Sequence, residues 1–317
     1  MSKLTRRLLM SSAALTAASC SLPLAASPLP ANPRNKRIPL GFSLYGMRNL
    51  HTDAALRTCA EIGYEAVELV LNPGWPAEPK SLSVADRRHI RALLTDLNLA
   101  LPALMEHLSL LGDEAETAQV VDKTKHKQNL ERLRAAGELA HALSPGHPPV
   151  IETTLGGKPA QWRRIKHQMA DRLHAWARAA ETFQAIIAIK PHVGGALHTP
   201  EGARWLLDQV NTPWIKLVYD YSHYEPRGYD LEPTARALLA DSVFIHVKDS
   251  AGDPGKVKFL LPGEGRVDYT EYFKLLRKLR YGGAVVVEVS GQIHGRPGYD
   301  AVAAAKQSYA TLKKAST

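Results

Sequence analysis

The 317-residue chain is poor in cysteine and contains only Cys20 and Cys59. Cys20 lies in an N-terminal segment that we expect to be removed, so Cys59 is left without a partner for an internal disulfide. A disulfide scaffold is therefore excluded, and the fold must depend on a hydrophobic core. The composition supplies one, since 45% of the residues are hydrophobic and 22% are charged, as in ordinary globular proteins.

The chain also lacks a hydrophobic run long enough for a stable membrane span. The apolar run over residues 8–20 is short and rich in small residues, and it follows the basic stretch TRRLL. This pattern resembles a twin-arginine export signal. We predict a signal peptide over 1–26, a Pro-rich linker over 27–37 and a periplasmic or otherwise exported domain over 38–317. Lipoprotein anchoring at Cys20 is the alternative, disfavoured because Ala17 stands where a leucine is usual.

The excess of positive charge is concentrated at the N-terminus. Residues 1–37 contain six cationic residues and no acidic residue, so the formal charge of the remainder is 9 − 6 = +3. Such a small excess gives little electrostatic attraction for a nucleic acid. We expect a small-molecule partner and no nucleic acid, and the sequence leaves the oligomeric state open.

Short apolar runs alternate with amphipathic stretches along the rest of the chain. The predicted strands are 38–46, 66–71, 99–106, 149–154, 185–190, 214–220, 243–249 and 284–291. The predicted helices lie near 52–62, 83–97, 123–143, 158–182, 200–210, 230–240, 269–279 and 300–314. Most of the strands are apolar on both faces, which is typical of parallel strands covered by helices. The repeat predicts an α/β fold, a single-domain (β/α)₈ TIM barrel. A doubly wound sheet is disfavoured because no Gly-rich fingerprint follows the first strand.

Ionisable residues lie at or near the carboxyl ends of the predicted strands. They are Glu68, Glu106, His107, Glu152, Lys190, His192, Asp220, His223, His246, Lys248, Asp249 and Glu288. Buried charges are unfavourable unless they are paired or bind an ion. The carboxyl ends of barrel strands gather at one face, where TIM-barrel enzymes place their active sites, so we expect these groups to form one polar pocket.

Three of these residues form a candidate metal-ligand set. Asp220, His246 and Glu288 come from three successive predicted strands and offer two carboxylates and an imidazole. Such a set suits Mn²⁺, Mg²⁺, Co²⁺ or Zn²⁺, with positions left open for substrate or water. His223, in the stretch DYSH, is either a further ligand or a substrate contact.

Four short motifs carry a resemblance to a known family. VYDYSH, HVKD, PGEG and VVVEVSG, in this order along the chain, resemble the xylose isomerase-like TIM-barrel superfamily, and the resemblance covers about residues 38–314. It implies a carbohydrate substrate and a divalent metal held by Glu, Asp, His and Glu from strands five to eight. The last three positions correspond to Asp220, His246 and Glu288, whereas the first corresponds to Lys190.

Lys190 departs from the family pattern because a charged lysine cannot bind a metal. Three alternatives remain open. The metal is retained, with Glu152 or His192 completing its ligand set; the Lys190 ammonium replaces the ion; or Lys190 is a catalytic base whose pKa is lowered by burial or by a nearby metal.

The resemblance predicts an isomerase or epimerase that removes a proton next to a sugar carbonyl. We assign catalysis to Glu152, Lys190 and Glu288, and a divalent metal ion to Asp220, His246, Glu288 and Glu152. We assign substrate binding to His192, His223, Lys248 and Glu264. Export favours an unphosphorylated sugar, because phosphorylated sugars are mostly cytosolic.

Other functions remain as alternatives. Within the family, a lyase or dehydratase acting on keto-sugars or inososes would use the same site. A non-catalytic sugar-binding protein with a degenerate metal site is the alternative of another class. The nuclease branch of the superfamily is disfavoured, because the stretch HVKDSAGD lacks the additional histidines that its trinuclear zinc site requires.

Overall fold

The computed structural model describes residues 37–110 and 123–317. Parallel strands form a closed barrel in the described residues: β1 Leu40–Ser43, β2 Ala66–Val70, β3 Ala100–Met105, β4 Val150–Thr153, β5 Ile187–Ile189, β6 Ile215–Asp220, β7 Ser242–Val247 and β10 Val285–Val287. Two further strands, β8 Asp249–Ala251 and β9 Lys258–Leu260, form a separate antiparallel hairpin. The predicted (β/α)₈ TIM barrel is therefore confirmed.

The strands are connected by helices. These are α1 Thr52–Ile62, α2 Val84–Asp96, α3 Lys123–Leu143, α4 Trp162–Phe183, α5 Pro200–Val210, α6 Leu231–Leu238, α7 Tyr269–Lys278, α8 Gly291–His294 and α9 Ala301–Ala315. Several begin at side chains that accept hydrogen bonds from the first free backbone N–H groups. Thr199 begins α5 in this way, with Pro200 as the first helical residue, and Asp268 begins α7.

The strand register determines which side chains share the carboxyl face of the barrel. The barrel closes where β1 pairs with β2 on one side and with β10 on the other. Asp220 of β6 lies beside His246 of β7, and His246 lies beside Val286 of β10. Residues at the ends of these strands are therefore held within reach of one another by the backbone hydrogen bonds of the barrel.

Closure of the barrel requires a residue without a side chain in β1. A Cβ atom on Gly41 would lie 2.8 Å from Val286 Cγ2 and 3.0 Å from the carbonyl oxygen of Ala66. Both distances are shorter than ordinary van der Waals contact. Glycine therefore lets β1 approach both of its neighbours, and adjacent Phe42 is fully buried in the core.

Several local elements differ from the sequence prediction, including the short helix α8, which follows a last strand that ends at Val287. The first strand ends at Ser43 instead of continuing to residue 46, because the Ser43 side chain accepts the N–H of Tyr45 and starts a 3₁₀ helix, Leu44–Met47. The segment 249–260, predicted as the end of a strand followed by a loop, forms the β8–β9 hairpin.

No helix within residues 37–110 and 123–317 is long and apolar enough to cross a membrane. Residues 1–36 lie outside the described residues, and with them nearly all of the segment over which we predict a signal peptide and a linker. Export, the cleavage site and the alternative of lipidation at Cys20 therefore stay predictions.

Candidate active site

A cavity of about 400 Å³ opens at the carboxyl face of the barrel. Its wall includes Tyr45, His107, Lys190, His192, His223, Lys248, Phe259, Glu288 and Ser290. Lys190 and Glu288 directly follow β5 and β10, and Lys248 directly follows β7. The polar pocket predicted at the strand ends is therefore present, with a volume in the range of small-molecule sites.

Three residues of the cavity wall, Lys190, Lys248 and Glu288, belong to a buried cluster of opposite charges. Four carboxylates surround two lysine side chains, and all six residues are at most 6% exposed. They are Glu68, Glu152, Asp220, Glu288, Lys190 and Lys248. Ions this deeply buried are tolerated only when they are paired and hydrogen-bonded, so their contacts define the site.

Lys190 contacts three side chains through its ammonium group. Nζ lies 3.0 Å from Glu288 Oε1 and 3.1 Å from His246 Nδ1, both with hydrogen-bond geometry. It also lies 3.0 Å from Glu152 Oε1 as an ion pair. The angle of that last contact does not suit a hydrogen bond, and neither Glu152 oxygen has a hydrogen-bond partner among the described residues. Glu152 therefore acts on Lys190 through its charge.

Lys248 bridges the other side of the same carboxylate. Its Nζ lies 2.5 Å from Glu288 Oε2 and is also hydrogen-bonded to Asp220 Oδ2. The Phe259 ring lies 4.9 Å from Nζ, at a distance typical of a cation–π contact. Glu288 therefore accepts one ammonium group on each of its two oxygens.

His246 is oriented from below by a buried glutamate. Its Nε2 lies 2.9 Å from Glu68 Oε2, and both side chains are fully buried. Donation from Nε2–H to this carboxylate leaves Nδ1 as an acceptor for Lys190. Burial is the largest influence and lowers the pKa of His246, but the charge and hydrogen bond of Glu68 together with the charge of Glu288 outweigh it, so the pKa lies above the ordinary histidine value.

The charge cluster keeps Lys190 and Glu288 ionised. Burial lowers the pKa of Lys190, but the carboxylates of Glu152 and Glu288 outweigh it and hold the pKa above its ordinary value. Burial raises the pKa of Glu288, but Lys190 and Lys248 outweigh it and hold the pKa well below its ordinary value. The interpretation of Lys190 as a base with a lowered pKa is therefore not supported by its surroundings.

Three histidines at the cavity accept an N–H at Nδ1. Nδ1 of His192 accepts from the Gly194 backbone N–H at 3.1 Å, and Nδ1 of His223 accepts from that of Val193 at 3.3 Å. His107 Nδ1 accepts from the Asn72 side chain at 3.2 Å. In their neutral forms these rings carry the proton on Nε2 and act there as hydrogen-bond donors. Burial is the largest cause that lowers the pKa of each, in the case of His223 to about 4.

Asp220, His246 and Glu288 form a potential metal-binding set. Each offers one ligand atom, and these atoms lie within 4.8 Å of one another. Two carboxylates and an imidazole are suitable ligands for a divalent metal ion. The predicted fourth ligand, Glu152, is not part of this set, and its nearest cationic partner is Lys190.

The ligand atoms of this set are already paired with ammonium groups. Glu288 contacts both lysines, His246 Nδ1 contacts Lys190, and Asp220 Oδ2 contacts Lys248. A dication held by these atoms would share them with both ammonium groups, and like charges in such close proximity repel strongly at the effective dielectric of a protein site. The residues therefore do not fit a metal while both lysines stay charged and in place, and we assign no step of the chemistry to one.

Two of the ionisable residues at the strand ends, and Glu264 of the PGEG motif, have other partners. Glu106 pairs with Arg132 of α3, and Asp249 accepts the backbone N–H groups of Gly263 and Val267. Glu264, a predicted substrate contact, is exposed and is not part of the cavity wall. Its carboxylate accepts from the backbone N–H of Leu261 and from the side chain of Gln307. These three side chains hold loops and helices around the site.

Several cavity residues were not assigned a role from the sequence. His107 was noted at a strand end, but its tautomer depends on Asn72, which precedes it by 35 residues. Phe259 belongs to the β8–β9 hairpin, whose lysine-rich sequence resembles a solvated loop. The alternation of the exposed Lys258 with the buried Phe259 is the signal that could have revealed this strand.

The family model described as the xylose isomerase-like TIM barrel matches residues 56–315, more than half of the chain. The chain therefore belongs to the xylose isomerase-like TIM-barrel family, as its four motifs predicted.

The curated relatives are enzymes that act on sugars or cyclitols. L-ribulose-5-phosphate 3-epimerase of Shigella sonnei is 26% identical over 155 residues, which cover 49% of this chain and 52% of the relative. Inosose dehydratase of Geobacillus kaustophilus is 22% identical over 258 residues, which cover 74% of this chain and 79% of the relative. The match thus spans about half the length of the epimerase and more of the dehydratase.

Solved structures share the fold, and some contain metal ions. The IOLI protein with a bound zinc atom has a TM-score of 0.69 and 18% identity, with 87% of this chain and 99% of that chain covered. A Mycobacterium smegmatis xylose isomerase-like TIM-barrel protein in complex with magnesium has a TM-score of 0.61 and 16% identity, with 88% and 96% covered. At this identity the likeness shows the barrel fold alone.

Proposed function

We propose that the chain is an exported carbohydrate isomerase or epimerase that removes a proton next to the carbonyl of an unphosphorylated keto-sugar. The observation that carries this proposal is the position of Glu288. Its carboxylate lies at the cavity wall, with an ammonium group on each oxygen. A base and an electrophile are thereby held side by side, which is the arrangement that enolisation of a carbonyl compound requires.

Glu288 would remove the proton, and Lys190 and Lys248 would stabilise the oxygen. The C–H electron pair becomes the new C=C bond of an enediolate, while the π electrons of the carbonyl move to its oxygen. Return of the proton from Glu288 to the neighbouring carbon would give an isomer, whereas protonation of the original carbon on its opposite face, by a donor other than Glu288, would give an epimer. The Nε2–H groups of His107 and His192 would bind substrate hydroxyls.

The same contacts would adjust the basicity of Glu288 during the reaction. Two ammonium groups lower the pKa of this carboxylate in the substrate-free chain, which makes it a weak base. A substrate oxygen that accepts an N–H from either lysine withdraws it from Glu288. The carboxylate would then become more basic at the step in which it takes the proton.

Two lines of support favour an unphosphorylated keto-sugar. The relative with the larger coverage is named for inosose, an unphosphorylated keto-cyclitol, although the epimerase relative is named for a sugar phosphate. The predicted export signal also favours a substrate found outside the cytosol. Under this proposal the protein acts in the periplasm or beyond it.

Solvent exchange tests the proposed function directly. The native protein would be incubated in D₂O with a panel of unphosphorylated ketoses, keto-glycosides and inososes, and deuterium incorporation would be followed by NMR. Glu288→Gln keeps the size of the side chain and removes the base, so exchange should fall by about 10²-fold or more. Glu181→Gln, on the exposed face of α4, is the matched control and should exchange at the native rate.

A dehydratase is the second candidate, favoured by the inosose dehydratase relative. Loss of a β-hydroxyl from the same enediolate breaks its C–O bond, and the hydroxyl leaves as water after taking a proton. The NMR assay separates the two, because elimination gives an unsaturated ketone and epimerisation does not. If substrates bind but show neither exchange nor elimination, the chain is a sugar-binding protein and the enzymatic proposal is wrong.

A further inference from the structure

We propose that Lys190 and Lys248 together replace the divalent metal ion that the family resemblance predicts, so that this chain binds no metal at its barrel mouth. The inference goes beyond the proposed function, because it concerns what holds the carboxylates together. Its catalytic consequence, that ammonium groups act as the electrophile, rests on the proposed function.

The first argument is the number of ligand atoms that the lysines use. Each of Asp220, His246 and Glu288 has an ammonium hydrogen within bonding distance of the atom that it would offer to a metal. The two lysines follow β5 and β7, the strands on either side of β6, and they contact different atoms of the set. A single lysine would leave part of the set without a cation, whereas the pair contacts all three members.

The second argument is charge. Two ammonium groups carry the same total charge as one divalent ion, so the cluster of carboxylates is neutralised to the same extent without a metal. Lys190 and Lys248 are 2% and 3% exposed, so neither reaches bulk water from its observed position. Binding of a metal would require the deprotonation or displacement of both side chains.

The third argument concerns a donor that remains for a ligand. Lys248 has three N–H groups, and two are used by Asp220 and Glu288. His223 Nε2 lies 3.4 Å from Lys248 Nζ. Because Nδ1 of this ring accepts the N–H of Val193, the neutral ring carries its proton on Nε2, and Nε2 is therefore not an acceptor for Lys248. One N–H of a residue in the cavity wall is therefore left to bind an oxygen atom of the substrate, which is the role of an open metal position.

Metal titration without substrate tests the inference. The native protein, dialysed against EDTA, should bind neither Co²⁺ nor Mn²⁺ stoichiometrically by calorimetry, and Co²⁺ should give no visible ligand-field absorption. The double variant Lys190→Glu/Lys248→Gln restores the carboxylate predicted by the resemblance and removes the second ammonium. This variant should gain one tight Co²⁺ site with such an absorption band. Its midpoint temperature of thermal unfolding should also be higher when Co²⁺ is present.

A matched variant controls for the change in charge. Lys256→Glu/Lys258→Gln makes the same substitutions at two exposed lysines of the hairpin and should gain no Co²⁺ site. The inference is overturned if the native protein binds a stoichiometric metal ion that Asp220→Asn abolishes. It is also overturned if the folded double variant gains no metal. Should that variant not fold, as judged by circular dichroism, the native titration alone decides.

The result is independent of whether turnover is detected. Absence of exchange with every substrate counts against the proposed function and leaves the metal titration unaffected. If exchange is detected, EDTA should leave its rate unchanged. If EDTA abolishes exchange and added Mn²⁺ restores it, the inference is contradicted, while the proposed function is supported.

Discussion

The side-chain amide of Asn72 forms two hydrogen bonds with His107. Its Oδ1 accepts the backbone N–H of His107 at 2.8 Å, which fixes the orientation of the amide. The Nδ2 group must then donate to the ring Nδ1 at 3.2 Å, so the neutral imidazole carries its proton on Nε2. The structure thereby defines the tautomer of a ring at the cavity wall through a residue of the loop that follows β2.

Asn72→Asp should reverse this tautomer. A carboxylate at position 72 still accepts the backbone N–H, but it cannot donate to Nδ1 and instead favours a proton there. The pKa of His107, which burial keeps below its ordinary value in the native chain, should rise. Nitrogen-15 NMR of the ring would show a change of Nδ1 from an unprotonated to a protonated nitrogen. Asn98→Asp, an exposed site, adds the same charge and should leave this signal unchanged.

The pair of Glu106 and Arg132 should contribute strongly to stability. The Glu106 side chain is 2% exposed, and Arg132 also donates to the backbone carbonyl of His107 at 3.2 Å. Arg132→Met keeps most of the packing but leaves a buried carboxylate without its partner. We expect a loss of about 3 kcal/mol in the free energy of unfolding, at the lower end for buried pairs because Arg132 is partly exposed. Urea denaturation measures it.

A surface pair provides the control for this prediction. Lys274 and Glu271 form an exposed ion pair in α7, and Lys274→Met should change the urea midpoint very little. Equal losses in the two variants would mean that burial of Glu106 does not determine the effect. Restoration of stability in Arg132→Met by a second change, Glu106→Gln, would confirm that the unpaired charge is the cause.

Buried neutral histidines should make the protein less stable in mild acid. Burial is the largest cause that lowers the pKa of His107 and of His192 below the ordinary value of 6.5. Below pH 6.5 the unfolded chain binds a proton at each that the folded chain does not, so the free energy of unfolding falls as the pH falls. Each histidine contributes at most about 1.4 kcal/mol per pH unit, and the dependence disappears above pH 6.5.

Urea denaturation between pH 7.5 and 4.5 would test the histidine effect, because the carboxylates with lowered pKa values lose their contribution mainly below that range. His192→Gln should reduce the slope of the unfolding free energy against pH by up to the equivalent of one bound proton. His147→Gln, at an exposed position, should leave the slope unchanged. A native protein whose stability is constant from pH 7 to 5 would contradict the prediction.

The sequence was sufficient for the barrel because its strands are buried on both faces. Runs such as AVELV and VFIHV have few polar residues, so their periodicity, spacing and placement between helices all indicate the same fold. The convergence of Lys190, Asp220, His246 and Glu288 followed from topology alone, since strand ends of a parallel barrel share one face.

The contacts within the site could not be predicted in the same way. Whether Lys190 meets a metal or a carboxylate depends on side-chain positions, and the sequence does not show that Lys248 reaches Asp220 and Glu288 from the other side. Glu264 is the predicted substrate contact that the structure places outside the cavity wall. It lies in a motif of the family, but local hydrogen bonds with Leu261 and Gln307 hold its carboxylate at the surface. Membership of the motif identified the position of Glu264 in the chain, but it did not predict where the side chain points.

The single cysteine of the described residues should be inert in the native protein. Cys59 in α1 is fully buried, and burial raises the pKa of its thiol above the ordinary value. Since the thiolate is the reactive form, a maleimide should modify Cys59 only when the domain opens. With Cys20→Ser removing the other thiol, labelling followed by mass spectrometry should be absent under native conditions and complete in urea. If labelling requires global unfolding, Arg132→Met should increase the labelling rate in proportion to the stability that this variant loses. An unchanged labelling rate would show that α1 opens locally.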